Sequence, residues 1–158
     1  MARVAMSKPE HQNAAEGSKT LEHQRNADRN RIMVVEDDHR NMRLLHDLLN
    51  VHGYEILQAS DGLEAINLAR DGQPDLILMD IRLPHLSGFD ATLLLKQDDQ
   101  TKAIPVIAVT AFATPWNETM ARESGCAGFI TKPLNVANLL NTIRSLLSPS
   151  PPAIGSLQ

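Results

Sequence analysis

Short apolar runs alternate with segments of helical periodicity between residues 32 and 147, and this alternation constrains the fold more than any other sequence feature. Residues 32–35, 54–58, 76–79, 105–109 and 127–130 predict five strands, and the segments after them predict five helices. Alternation of this kind implies parallel strands, right-handed crossovers and helices on both faces of the sheet. We therefore predict an α/β chain with a doubly wound, five-stranded parallel sheet.

Helix-boundary signals support this division. Asp61 and Glu64 have capping-box spacing, Thr114 precedes a proline, and Asn135 precedes a stripe of apolar residues that ends at Leu147. Residues 1–30 are polar and predict a disordered leader, residues 31–147 predict one domain, and residues 148–158 predict a disordered Pro/Ser-rich tail.

Composition excludes several classes of protein. Residues 32–147 carry nine Lys/Arg against fifteen Asp/Glu, which argues against direct binding to nucleic acid. No apolar run is long enough to span a bilayer, and a lone cysteine, Cys126, does not form a disulfide framework. Together with the absence of a signal-peptide core, this composition predicts a cytoplasmic protein without membrane contact.

Polar side chains follow four of the predicted strands at the point where each strand ends. Glu36 and Asp37 follow the first strand, Asp80 the third, Thr110 the fourth, and Lys132 the fifth. In open parallel sheets, ligands bind beyond the carboxyl ends of the strands. A single acid there is often only a helix-terminus charge, but four polar ends at one edge predict a site.

Four segments carry a family resemblance: VVEDDHRN, LILMDIRLPHLSG, VIAVTAFA and GFITKP. In order and spacing, including Pro84 and Gly88, they resemble the receiver domain of two-component response regulators over residues 31–147. The segments NMRLL, HGYE and DLILMDI resemble in particular its single-domain bacterial members. The resemblance implies a flavodoxin-like receiver fold with strand order 2-1-3-4-5, in which Asp37 and Asp80 share one acidic pocket.

The resemblance also implies a chemistry. Asp80 would accept a phosphoryl group in a reaction that depends on Mg²⁺. Asp37, Asp80 and the backbone carbonyl of Arg82 would bind the ion directly, and Glu36 through water. Three carboxylates in one pocket repel one another unless a cation intervenes, and such oxygen ligands suit Mg²⁺.

The remaining site roles come from the same resemblance. Lys132 would pair with the phosphoryl group, aimed by a cis peptide bond between Lys132 and Pro133. Thr110 would donate its hydroxyl to the phosphoryl group and, with Phe129, form the conformational switch. The alternative is that Phe129 is an ordinary core residue.

The expected partners are a histidine kinase or histidine phosphotransfer protein and a downstream protein target, with the chain a monomer or weak dimer. Met42 and His46 are exposed docking candidates on the first helix. Trp116 is either a docking residue or an edge of the core. Arg82 and Phe112 lie two residues beyond Asp80 and Thr110, so both side chains could flank the phosphoryl group.

Other functions stay open at this point. A phosphatase with an aspartate nucleophile needs an acid at position 82, where this chain has Arg82. A nucleotide site needs a Gly-rich loop after the first strand, where this chain has EDDHRN. Two alternatives remain. The chain could be a binding module that never takes phosphate, or it could be a fragment of a larger sensor or regulator.

Overall fold

The structure is a computed structural model that describes residues 29–148. Five strands and five helices alternate in the order β1 (Arg31–Val35), α1 (His39–Val51), β2 (Glu55–Ala59), α2 (Gly62–Gly72), β3 (Leu76–Asp80), α3 (Gly88–Gln97), β4 (Val106–Thr110), α4 (Pro115–Ser124), β5 (Gly128–Thr131) and α5 (Val136–Leu147). The predicted leader and tail lie almost wholly outside the described residues.

All five strands are parallel, and their order is β2-β1-β3-β4-β5. The predicted fold class and strand order are confirmed. Because β1 lies beside β3 and β3 beside β4, the polar residues that end these strands meet at one edge of the sheet.

The period-two alternation of the strands divides the core between the two faces of the sheet. Residues such as Val34 and Leu78 pack with α1 and α5, whereas Met33 and Ile77 pack with α2 and α3. A smaller cluster beneath α4 contains Phe89 and is contacted by the half-buried Phe129. Within residues 29–148, no helix is both long and apolar enough to cross a membrane.

Each helix begins at a side-chain cap. The caps are Asp38, Asp61, Ser87, Thr114 and Asn135, and each accepts a backbone N–H from the first turn. The predicted capping box at Asp61 differs by one residue, because the Glu64 carboxylate accepts from Ser60 N (2.9 Å) rather than from the cap.

The prediction that Met42 is exposed was wrong. Met42 is buried and lies on one stripe of α1 with Leu45 and Leu49, facing the core. Leu44 is the exposed apolar residue of this turn, with 65% of its surface accessible, and His46 is partly exposed.

Candidate functional site

The carboxyl ends of β1 and β3 bring three acidic residues together. Ligand oxygens of Glu36, Asp37 and Asp80 all lie within 4.8 Å of one another. Asp80 is the last residue of β3, and the other two follow β1 directly. The adjacency of these two strands, which the family resemblance implied, therefore creates a compact acidic cluster.

The three carboxylates differ in burial. Glu36 and Asp80 are buried, whereas Asp37 is exposed. The pKa of the Glu36 carboxyl is raised overall, first by burial and then by the nearby charge of Asp80. The hydrogen bond from the N–H of Asp38 and the ammonium of Lys132 lower this pKa but do not outweigh the increase. Asp80 Oδ1 accepts a hydrogen bond from the backbone N–H of Arg82 at 3.1 Å, which orients the carboxylate.

Lys132 provides the cation of the cluster. Its Nζ lies 3.1 Å from Glu36 Oε2 and 3.2 Å from Asp80 Oδ2. Burial lowers the pKa of Lys132, but the charges of Asp80 and Glu36 and the hydrogen bonds to them outweigh burial and raise it overall. The ammonium thus stays charged and bridges the two buried carboxylates. The Lys132–Pro133 peptide bond is cis.

The acidic cluster has the donor set of a Mg²⁺ site. Mg²⁺ is bound in proteins by one or two carboxylates together with several waters, and it requires hard oxygen ligands. Here Asp37 is open to solvent, and one of its oxygens lies within 4.8 Å of an oxygen of the buried Asp80. One ion is therefore within reach of both carboxylates and of water. The backbone of Arg82 runs beside Asp80, since its N–H contacts that carboxylate. The residues present therefore fit the ion.

Thr110 is buried at the end of β4, and its hydroxyl is engaged within its own loop. Thr110 Oγ1 accepts from Phe112 N at 3.1 Å and lies 3.4 Å from Phe112 O. Phe129, on β5, packs against the cluster beneath α4 and is half-buried, so it occupies a position between core and surface.

Sequence reasoning missed two contacts around Phe112. Its ring lies 4.5 Å from the guanidinium carbon of Arg82, and its carbonyl accepts a hydrogen bond from Asn117 Nδ2 at 2.8 Å. The positions of Arg82 and Phe112 had suggested that both flank the site, but their mutual contact depends on loop conformation. Asn117 carried no signal in the sequence beyond its place in the first turn of a helix.

Two cavities adjoin the cluster. One, of about 790 Å³, opens beside Asp37 and Thr110 and includes Arg82, Phe112 and the exposed Trp116 in its wall. The ring of Trp116 meets Phe89 edge-on with centroids 6.3 Å apart, so this residue both touches the core and faces solvent.

The second cavity, of about 350 Å³, is an apolar groove between α1 and the start of α5. Leu44, Leu48, Leu134 and Val136 line it, and Lys132 lies at its edge. An apolar groove that reaches the cation of the acidic cluster is suited to docking a protein helix beside that cluster.

Comparison with known proteins gives the family. The model of the response regulator receiver domain matches residues 32–144. The chain is 50% identical over 116 residues to the polar-differentiation response regulator DivK of Brucella anthropi, which covers 73% of this chain and 94% of that protein. DivK of Brucella ovis is 49% identical over the same coverage.

Solved receiver structures have the same fold. The chemotaxis protein CheY4 of Vibrio cholerae matches with a TM-score of 0.72 at 27% identity, covering 75% of this chain and 99% of that one. The receiver domain of the sensor histidine kinase PA1611 from Pseudomonas aeruginosa matches with a TM-score of 0.71 at 29% identity, covering 75% and 98%. The latter structure has a magnesium ion coordinated in its active-site cleft.

Proposed function

Since this chain belongs to the response regulator receiver family, a family of signalling domains, we propose that it accepts a phosphoryl group on Asp80 in a Mg²⁺-dependent reaction. The donor is the phosphohistidine of a histidine kinase or histidine phosphotransfer protein. The phosphorylated chain then signals through protein contacts or passes the group along a phosphorelay.

The bridging of Glu36 and Asp80 by Lys132 carries this proposal. A carboxylate that is held by a backbone N–H, flanked by a cation and open to hard-metal ligation has what a phosphoryl acceptor needs. The same residues do not supply the second acid that a hydrolytic phosphatase requires, because position 82 is arginine.

The transfer step follows from this arrangement. An oxygen of Asp80 forms a bond to phosphorus while the phosphorus–nitrogen bond of the phosphohistidine breaks, and the electron pair returns to the imidazole. Lys132 is released from the carboxylates to pair with a phosphoryl oxygen. Bound Mg²⁺, held by Asp37, Asp80 and the carbonyl of Arg82, with Glu36 through water, would supply charge neutralisation for the carboxylates and the incoming group.

The proposed switch is a shift between two conformations. Thr110 exchanges its contact with Phe112 for a hydrogen bond to the phosphoryl group, its loop follows, and Phe129 moves into the vacated space. The half-buried position of Phe129 supports this movement. Adding beryllofluoride with Mg²⁺ is expected to shift amide NMR resonances across α4, and unmoved resonances there would refute the switch.

The proposed docking site for the phosphohistidine partner is the apolar groove between α1 and α5, with Leu44 in place of the buried Met42. The downstream target contacts the surface near the exposed Trp116. A monomeric or weakly dimeric state, a cytoplasmic location and the lack of direct nucleic-acid contact stay predictions.

Acetyl phosphate tests the phosphoryl-acceptor function without a protein partner. We expect incubation with acetyl phosphate and Mg²⁺ to raise the intact mass of the chain by one phosphoryl group. The gain should be absent in Asp80→Asn and in the presence of a chelator. No gain in the wild-type chain, or the same gain in Asp80→Asn, would contradict the proposal.

A further inference from the structure

We infer that Asn117 is a positioning residue that holds Phe112 and Arg82 as a lid over the phosphoryl site and so sets the lifetime of the phosphorylated state. This inference rests on the proposed function, since it concerns the product of that reaction. The lid consists of the side chains of Arg82 and Phe112, which contact each other: the guanidinium carbon of Arg82 lies 4.5 Å from the centroid of the Phe112 ring.

Phe112 is fixed from three sides. Thr110 contacts its backbone from the end of β4, Asn117 donates to its carbonyl from the first turn of α4, and Arg82 covers its ring from the loop after β3. Asn117 is itself fixed, because its backbone N–H donates to the Thr114 cap at 3.1 Å. The ring thereby joins the loop that follows the acceptor strand β3 to the loop that follows the neighbouring strand β4.

The lid lies on the path of water. Hydrolysis requires a water oxygen to bond to phosphorus in line with the breaking bond to the Asp80 carboxylate. The electron pair returns to the carboxylate, and the proton of the water passes to the released phosphate or to solvent. Arg82, Phe112 and Asn117 line the same cavity as Asp37 and Thr110, which flank the acceptor, so a water that approaches through this cavity meets Arg82 and Phe112.

Asn117 becomes decisive once the phosphoryl group is present. If Thr110 turns its hydroxyl to the phosphoryl oxygens, the loop loses the contact between Thr110 and the Phe112 carbonyl. The 2.8 Å hydrogen bond from Asn117 then keeps that carbonyl, and with it the ring, bound to the first turn of α4 as the loop moves. The net strength of one hydrogen bond corresponds to about a three- to tenfold change in the closed population of the lid.

The test measures dephosphorylation rates of chains phosphorylated with acetyl phosphate and Mg²⁺. We expect Asn117→Ala to shorten the phosphoryl half-life by about three- to tenfold. Asn117→Asp, which keeps the shape but has no N–H to donate, should shorten it as well. Thr119→Ala, an exposed position on the same helix, is the matched control and should leave it unchanged.

A second arm separates positioning from a general structural effect. In a Phe112→Ala background the lid is absent, so Asn117→Ala should cause no further change. A wild-type half-life in Asn117→Ala or Asn117→Asp, or an equal effect with and without Phe112, would overturn the inference. If instead the wild-type chain takes no phosphoryl group, the proposed function itself fails.

Discussion

Replacing Lys132 by methionine tests the electrostatics of the acidic cluster, because it removes the charge and keeps most of the side-chain length. Lys132 Nζ lies 3.1 Å from Glu36 and 3.2 Å from Asp80. At an effective dielectric constant of about 20, each pair contributes about 5 kcal/mol of Coulomb energy, most of which desolvation offsets.

The net loss is smaller than these gross terms. Removing one partner of a buried ion pair costs about 3–5 kcal/mol. The side chain of Lys132 is 23% exposed, and Glu36 can take up a proton because its pKa is already raised. We therefore expect Lys132→Met to lower the free energy of unfolding by about 2–3 kcal/mol, at or below the lower limit of that range.

Urea unfolding without Mg²⁺ measures this loss. The midpoint should fall by about 1–2 M for a domain of this size. Lys102→Met is the matched control, because Lys102 pairs with Asp99 at 2.9 Å on the surface, where such pairs contribute about 0–1 kcal/mol. Equal losses in the two variants would refute the reasoning that Lys132 neutralises a buried cluster.

Three further predictions concern the loops and the thiol. Gly88→Ala places a Cβ against the carbonyl of Asp80 and 2.8 Å from Ile81 Cα, so urea unfolding should show a loss of about 1–3 kcal/mol; an unchanged midpoint would contradict this. His85 has a φ of 70°, so His85→Gly should raise stability by up to about 1 kcal/mol, and a loss would argue against strain there. Burial raises the pKa of the Cys126 thiol, so iodoacetamide should alkylate the folded chain at neutral pH more slowly than the urea-unfolded chain. The rate in the folded chain should continue to increase with pH beyond the ordinary pKa of a thiol. Equal rates in the two states would refute this.

The sequence predicted the fold well because local and global signals agree. Strand and helix periodicities alternate without interruption, and every helix begins at a capping side chain. The helix Gly88–Gln97 was predicted with the bounds it has, whereas each strand differs by one residue at one or both of its ends. Strand ends depend on pairing with neighbours, which the sequence of one strand does not contain.

The sequence identified the charged residues that the structure brings together, the three carboxylates and Lys132, but not the loop contacts around them. Glu36 and Lys132 are far apart in sequence, and only the predicted strand order brings them together. The prediction that Met42 is exposed was wrong because α1 carries more apolar residues than fit on one stripe of the helix. The face that packs on the sheet decides which of them are buried. The contacts of Phe112 with Arg82 and Asn117 follow from loop conformation, which periodicity does not specify.

Borohydride trapping tests the central claim, that the Asp80 carboxylate is the phosphoryl acceptor. Borohydride reduces an aspartyl phosphate to homoserine, so the modified position can be read by peptide mass spectrometry after treatment with acetyl phosphate and Mg²⁺. We expect homoserine at position 80, in the peptide that contains the end of β3, and none when Mg²⁺ is omitted. Homoserine at position 37, or the corresponding alcohol of glutamate (2-amino-5-hydroxypentanoic acid) at position 36, with an unmodified Asp80 would contradict the account.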